Sequence, residues 1–180
     1  MRVTSGSARG LWLESPVGWH TRPTSDKVKQ ALFNILADKT MACRFLDLYS
    51  GTGAIGIEAL SRGAESSVFV ENDSIALKVL EKNLAKTRLE GRALISRTAV
   101  SLAIRAFVKQ GRRFDIIYAD PPYDIDDLEA LAKNSGEILD TDGIVIIETD
   151  AKRAFGDVSP LVIKDERKYG GTKLVFLRKE

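Results

Sequence analysis

The sequence contains few of the residues that metal centres and disulfide-rich folds require. Its 180 residues include one cysteine, Cys43, which excludes a disulfide framework and a cysteine-rich metal site. The one histidine, His20, argues against a histidine-based metal centre and against a Ser-His-Asp triad. We therefore expect a protein without a bound metal.

Long apolar runs are missing as well. No stretch approaches the length of a membrane span, and the residues after Met1 lack the apolar region of a signal peptide. No internal repeat or low-complexity segment is visible. Hydrophobic residues make up 44% of the chain and charged residues 29%, which is typical of one soluble globular domain. We expect a cytoplasmic, monomeric protein with no membrane partner.

The net charge of +2 conceals an uneven distribution of charge along the chain. Residues 1–44 hold seven Lys/Arg against three Asp/Glu, and residues 151–180 hold eight against four, so the centre of the chain is acidic. Basic ends suit a polyanionic partner, while an acidic centre can form a pocket for a different ligand. The residues predicted to contact nucleic acid are Arg2, Arg9, Arg22, Lys27, Lys29, Lys168 and Lys173.

From residue 45 onward, short apolar runs alternate with segments of helical periodicity. The pattern predicts strands at 45–49, 67–71, 93–96, 114–119 and 143–149, and helices at 54–62, 74–88, 99–110 and 126–139. Such alternation favours βαβ units and a parallel sheet covered on both faces. Two last runs, 161–167 and 173–177, flank Tyr169-Gly170-Gly171-Thr172 and predict a hairpin that adds an antiparallel end to the sheet.

The first 44 residues form a separate extension in this interpretation. Residues 3–14 predict a small hairpin, and a helix follows from about residue 25 to residue 37. We expect two parts, a basic extension over 1–44 and an α/β domain over 45–180.

The segment from Asp47 to Gly56 is typical of a strand, a glycine-rich turn and the start of a helix. The spacing of Gly51, Gly53 and Gly56 matches the dinucleotide-binding fingerprint, so a nucleotide-binding oxidoreductase must be considered. Glu71 closes the second predicted strand, where an acid can bind two ribose hydroxyls under either interpretation. Asp47 distinguishes a dinucleotide from a sulfonium amino acid as the ligand. A pyrophosphate repels a carboxylate under the loop, whereas the ammonium group of a sulfonium amino acid attracts it.

The tetrapeptide Asp120-Pro121-Pro122-Tyr123 follows the predicted strand at 114–119, where the strand becomes a loop. A carboxylate at this point can accept a hydrogen bond from an amine. The two prolines hold the loop stiff and leave carbonyl oxygens free to accept, and Tyr123 offers a flat face for stacking. The tetrapeptide can thus hold the exocyclic amino group of a planar base; a plain strand-terminating turn is the alternative.

Together, these two segments resemble the S-adenosylmethionine (SAM) loop and the catalytic tetrapeptide of amino-methyltransferases. The candidate catalytic residues are therefore Asp120, Pro121, Pro122 and Tyr123. The candidate cofactor-binding residues are Asp47, Tyr49, Gly51, Gly53, Glu71, Asn72, Thr98 and Ala99.

Over nearly its whole length the chain resembles the RsmD family, the methyltransferases that act on guanine N2 of small-subunit ribosomal RNA. The resemblance is carried by Arg22-Pro23-Thr24 with Leu32-Phe33-Asn34, by Asp47 through Gly56 and on through Glu58 to Ala64, by Phe69-Val70-Glu71, by Asp120 to Tyr123 and by Tyr169-Gly170. It implies SAM as the methyl donor, with S-adenosylhomocysteine (SAH) as product and no metal. It also implies a Rossmann-like class I α/β fold with a mostly parallel seven-stranded sheet and an antiparallel last strand. An N-terminal hairpin is expected to help to hold the RNA partner, which would be part of an assembling small ribosomal subunit.

One alternative is an amino-methyltransferase that acts on adenine N6 or cytosine N4 in DNA, because the tetrapeptide does not name the base. Such enzymes usually carry a sizeable target-recognition domain, whereas only residues 1–44 are available here. The oxidoreductase is a further alternative, and a comparison of SAM with NAD as stabilising ligands separates it from a methyltransferase.

Overall fold

The computed structural model describes residues 1–16, 23–122, 125 and 127–180. Two predicted site residues, Arg22 and Tyr123, lie outside these ranges, so their roles stay predictions. Within the described ranges, one sheet contains seven strands, in the order β3-β2-β1-β4-β5-β7-β6. The strands are β1 Arg44–Leu48, β2 Ser66–Glu71, β3 Ala93–Arg97, β4 Phe114–Ala119, β5 Leu139–Asp150, β6 Leu161–Tyr169 and β7 Thr172–Lys179.

The sheet is parallel from β3 to β5, and β7 is antiparallel to both of its neighbours, β5 and β6. This arrangement confirms the predicted mostly parallel sheet with an antiparallel last strand. The helices are α1 Pro23–Leu36, α2 Ala54–Ser61, α3 Ser74–Thr87, α4 Val100–Lys109 and α5 Leu128–Glu137. Within the described ranges, none of these helices has the length and apolar character that crossing a membrane requires.

Two apolar layers enclose the sheet. On one face, α1, α2, α3 and the N-terminal segment pack against side chains such as Phe45 and Ile146. On the other face, α4 and α5 cover Leu46, Leu48 and Val145. Because neighbouring residues of a strand point to opposite faces, the side chain of Asp47 lies on the face of Phe45.

The predicted strands and helices agree with the observed ones within two residues at most ends. The main exception is β5, which begins at Leu139 rather than at residue 143. Its first residues include the polar run Asp140 to Asp142, so the hydrophobic pattern does not reveal them. Residue 139 nevertheless pairs with Phe114 of β4, and a register shift follows that pair.

Residues 1–13 form the small hairpin that the sequence predicts. Val3 N donates to Leu11 O at 2.9 Å, Leu13 N donates to Met1 O at 2.8 Å, and Arg2 and Trp12 form an antiparallel bridge. The hairpin contributes Val3, Ala8 and Leu13 to the core on the α1–α3 face. Hydrogen bonds from the hairpin to Glu58 and Ser61 place it beside the last turn of α2.

Candidate active site

The carboxyl ends of the parallel strands meet at one edge of the sheet, where open α/β sheets bind their ligands. A cavity of about 240 Å³ lies at this edge, above β1, β4 and β5. Asp47, Gly51, Tyr118, Asp120 and Glu148 are among the residues that line it. The glycine loop and Asp120, which are far apart in the sequence, therefore open into one shared space.

The glycine loop turns sharply between β1 and α2. Ser50 N donates to Val70 O at 3.0 Å, and Gly53 N donates to Ser50 O at 2.8 Å. Gly53 precedes α2 with φ +83°, and a Cβ atom on it would lie 2.2 Å from Leu80 Cδ1. Glycine is thus required here both by the backbone conformation and by the side chain packed behind the loop.

Asp47 lies directly beneath this loop. It is 1% exposed, and its Oδ2 accepts a hydrogen bond from Gly56 N at 2.8 Å, which holds the first turn of α2 in place. Burial raises the pKa of Asp47 to about 7, with a further upward contribution from Glu71 and an opposing one from the Gly56 hydrogen bond. The cavity floor therefore carries a carboxyl group that a bound positive charge would help to ionise.

A second cavity of about 200 Å³ lies between the ends of β2 and β3. It is lined by Glu71, Asn72, Thr98 and Ala99, and Tyr49 lines both cavities. Glu71 Oε2 accepts from Gly51 N at 2.8 Å, and its Oε1 accepts from the backbone N–H groups of residues 72 and 73. Seven of the eight candidate cofactor-binding residues thus line one or both of two adjoining cavities, and the eighth, Gly53, forms the turn that leads into α2.

Asp120 follows the last residue of β4. In the β4–β5 register Ala119 pairs with Ile147, so Asp120 and Glu148 come next to each other one step further along. Burial, then Glu148 and Asp47, raise the pKa of Asp120 to about 8. Because the residue as a whole is exposed, the two like charges contribute more to this rise in pKa than burial does.

The following loop distinguishes the two prolines. Pro121 is buried, whereas Pro122 is exposed and its carbonyl accepts from Ile125 N at 3.1 Å. The carbonyl of Pro122 therefore already has a partner within the loop.

Sequence reasoning missed Tyr118 and Glu148. The Tyr118 hydroxyl donates to Glu148 Oε2, and Tyr118 is 3% exposed. An acid near the carboxyl end of the apolar run 143–149 was the available signal for Glu148. Ser50 was also missed; its Oγ is buried and has no hydrogen-bond partner among the described residues.

The cavity's carboxylates do not form a metal centre. In the part of the chain that the structure describes, no group of three His, Cys, Asp or Glu residues is placed to hold a metal ion.

The predicted RNA-binding residues fall into two groups. Arg2, Arg9, Lys27 and Lys168 are exposed. By contrast, Lys29 is buried in an ion pair with Glu58 at 2.9 Å, and Lys173 is buried in one with Glu166 at 2.6 Å. Neither of these two ammonium groups is presented to a phosphate at the surface.

Comparison with known proteins identifies relatives along the full chain. A family model described as "Conserved hypothetical protein 95" matches residues 1–178. The chain is 37% identical to "Putative rRNA methyltransferase YlbH" of Bacillus subtilis over 99% of both chains. It is 30% identical to "Ribosomal RNA small subunit methyltransferase D" of Escherichia coli K12, over 88% of this chain and 79% of the relative.

Solved structures share the fold. A hypothetical protein of Thermus thermophilus superposes with a TM-score of 0.85 at 28% identity, over 99% of both chains. SMU.776, described as "a putative methyltransferase complexed with SAH", superposes with a TM-score of 0.74 at 17% identity, over 87% of this chain and 50% of that one. At that identity the second likeness shows the fold alone.

Proposed function

Because the chain belongs to the RsmD family of ribosomal RNA methyltransferases, we propose that it transfers a methyl group from SAM to the exocyclic N2 amine of a guanine in small-subunit ribosomal RNA. One observation carries this proposal: the carboxylate of Asp120 and the bend at Gly51 line a single cavity. Donor and acceptor can meet there.

The residues of the two cavities fit SAM. Its amino-acid part carries a positive ammonium group and a positive sulfonium, which suit the acidic cavity above Asp47. The unpaired Ser50 Oγ offers a further hydrogen-bonding group to a ligand at the same loop. In the second cavity, Glu71 would hold the ribose hydroxyls, and Thr98 and Ala99 would contact the adenine.

When bound, SAM supplies a methyl group attached to a positively charged sulfur, and this sulfur becomes a neutral thioether when the methyl group is transferred. The chain's own residues position the amine. Asp120 accepts a hydrogen bond from the target N–H and thereby keeps the nitrogen lone pair directed at the methyl carbon rather than spread into the ring. After the transfer, the positively charged nitrogen loses its extra proton to water. Pro121 contributes its carbonyl as a second acceptor, since that of Pro122 is engaged by Ile125. Rate enhancement then comes mainly from orientation.

RNA would be held by exposed cations at both ends of the chain. Arg2 and Arg9 lie on the N-terminal hairpin, and Lys168 lies beside the turn between β6 and β7. Both features flank the cavity's edge of the sheet, since Met1 lines the cavity and Thr172 pairs with the last residue of β5. Stacking of Tyr123 on the extruded base stays a prediction.

A decisive experiment uses labelled SAM with undermethylated small-subunit particles, free ribosomal RNA and DNA. We expect label in the particles or the ribosomal RNA, mapped to N2 of one guanine. Label on adenine N6 or cytosine N4 of DNA would instead support the alternative amino-methyltransferase.

The role of Asp120 is tested with Asp120→Ala. We expect kcat to fall by about 100-fold or more, because one positioned acceptor is lost at the reacting amine. Calorimetry should show that SAM still binds. The matched control is Asp142→Ala, an exposed aspartate at the opposite edge of the sheet, which should keep wild-type turnover. Normal turnover by Asp120→Ala would remove the proposed mechanism.

A further inference from the structure

We propose that Glu148 is the residue that selects guanine, by accepting a hydrogen bond from guanine N1–H while Asp120 accepts from the N2 amine. Tyr118 acts as the positioning residue that orients the Glu148 carboxylate. This inference rests on the proposed function and deepens it, because it explains which base the site accepts.

The first argument is the placement of the two carboxylates. Tyr118 and Asp120 point to one face of β4, and Ile146 and Glu148 point to the same face of β5. Asp120 and Glu148 are adjacent across the strand pair, and both line the cavity. They thus form two neighbouring acceptors at one rim.

The second argument is how Glu148 is held. Its Oε2 accepts from the buried Tyr118 hydroxyl, and no other described residue donates to it. Because the Tyr118 ring is buried in the apolar core, its hydroxyl has little freedom, so the carboxylate is held with its second oxygen available. Burial raises the pKa of Glu148, and the hydrogen bond from Tyr118 opposes this by stabilising the ionised carboxylate.

The third argument is the hydrogen-bonding pattern of the bases. Guanine presents N1–H and N2–H donors side by side on its Watson–Crick edge, which is the edge that enzymes read on an extruded base. Adenine N6 has the acceptor N1 beside it, and cytosine N4 has the acceptor N3. Two adjacent carboxylates match guanine and repel the lone pairs of the other two bases.

The two carboxyl groups are expected to be ionised, as acceptors must be, once the methyl donor is bound. Among the residues that line the cavity, the charged side chains are Lys29, Asp47, Asp120 and Glu148, and Lys29 is already paired with Glu58. A positively charged donor in this cavity favours ionised carboxylates, which are acceptors only.

The test compares guanine with 2-aminopurine, which keeps the N2 amine but has an acceptor at N1. Small-subunit RNA carrying either base at the mapped nucleotide is prepared by ligation and assembled into particles. Wild-type protein should prefer guanine about 10- to 100-fold in kcat/KM, the range expected for one hydrogen bond to a charged group. Glu148→Leu should bring this ratio close to one, because it loses the hydrogen bond to guanine N1–H and no longer repels the N1 lone pair of 2-aminopurine.

The ratio of the two kcat/KM values is insensitive to changes in SAM affinity or folding, since such changes alter the activity on both substrates equally. Glu148→Gln keeps one acceptor oxygen and should restore part of the preference. Tyr118→Phe should reduce the preference partly. The double variant Tyr118→Phe/Glu148→Leu leaves no unpaired hydroxyl and serves if the single leucine variant does not fold. As a readout besides activity, the affinity of SAH-loaded protein for the guanine RNA should fall in Glu148→Leu, while that for the 2-aminopurine RNA should not.

The outcomes separate the two proposals. If wild-type protein forms N2-methylguanine but Glu148→Leu keeps the guanine preference, the role of Glu148 is overturned and the proposed function stands. A wild-type preference of one also overturns it. If wild-type protein forms no N2-methylguanine, the proposed function itself fails, and this inference fails with it.

Discussion

At the scale of single residues, the edge of the sheet that holds the cavity concentrates acids, and no cation among the described residues forms an ion pair with them. Asp47, Asp120 and Glu148 line one cavity, and the pKa of each lies above its ordinary value. The burial of Asp47 and the mutual repulsion of the three acids destabilise the folded protein when all are ionised. A cationic ligand relieves this repulsion, so the cavity is arranged to bind a positive methyl donor and to present acceptors to an amine.

Asp47→Asn tests this arrangement through the pH dependence of stability. Burial raises the pKa of Asp47 from 3.8 to about 7, so between these values the folded protein keeps a proton that the unfolded chain releases. The free energy of unfolding of the wild type therefore falls as pH rises through this window, by up to about 4 kcal/mol. Asparagine does not titrate. Urea denaturation should therefore show that the free energy of unfolding of the variant increases relative to that of the wild type between pH 4 and pH 7. Above pH 7 the difference between the two should stay constant.

Asp157→Asn is the control for this experiment. The Ser159 backbone N–H and Lys133 lower the pKa of the exposed Asp157 to about 2, which lies below the tested range. Its effect on stability should therefore be the same at pH 5 and pH 8. Parallel curves for Asp47→Asn and the wild type would show that Asp47 is not held protonated.

At the scale of elements, local sequence patterns predict much of the fold and part of the candidate site. The sequence predicts β4 at its observed bounds, because the run 114–119 is apolar throughout most of its length and ends at Asp120. It also predicts the glycine loop, since the positive φ values at 51 and 53 favour glycine. Glu148 could not be assigned in this way, because its role depends on the pairing of β4 with β5, which no local pattern specifies.

The docking of the N-terminal hairpin on α2 is another such long-range feature. Thr4 N and Lys29 Nζ both donate to Glu58 Oε2, at 2.9 Å each, and Ser7 N donates to Ser61 O at 2.9 Å. The Glu58 carboxylate is fully buried, so these donors replace its water. Periodicity predicts that a hairpin exists, but it does not predict the acid on which the hairpin docks.

Gly6→Ala should detach this hairpin. A Cβ atom on Gly6 would lie 1.7 Å from the backbone oxygen of Ser61, which cannot rotate away. Gly10→Ala is the matched control, because Gly10 also has a positive φ while its Cβ would meet only Arg2 Nη2, at 3.5 Å. We expect about 1 kcal/mol of backbone strain in both variants and a clearly larger loss of unfolding free energy in Gly6→Ala.

Hydrogen exchange identifies where that loss arises. In Gly6→Ala the amides of Val3, Gly10 and Leu13, which donate within the hairpin, should exchange faster than in Gly10→Ala. Equal exchange in the two variants would mean that the contact with Ser61 does not hold the hairpin.

At the scale of the whole molecule, the fold brings both basic ends of the chain to the edge that holds the cavity. The hairpin at the N-terminus supplies Met1 to the cavity wall, and the β6–β7 turn stands beside the end of β5. Next to that turn, Lys152 and Lys168 line a groove of about 610 Å³. Positive surface thus surrounds an acidic cavity, which suits a polyanion that delivers one base into it.

Charge reversal at this groove should weaken RNA binding specifically. Lys152→Glu/Lys168→Glu removes two exposed cations beside the cavity, and we expect the slope of log affinity against log salt to become shallower by about 1 to 2. The control is Lys109→Glu/Arg113→Glu, which changes the net charge equally at the opposite edge, where α4 ends and β4 begins. Filter binding with small-subunit RNA at several salt concentrations distinguishes the two variants. Equal weakening by both would mean that net charge, rather than the groove beside the cavity, controls how the RNA is held.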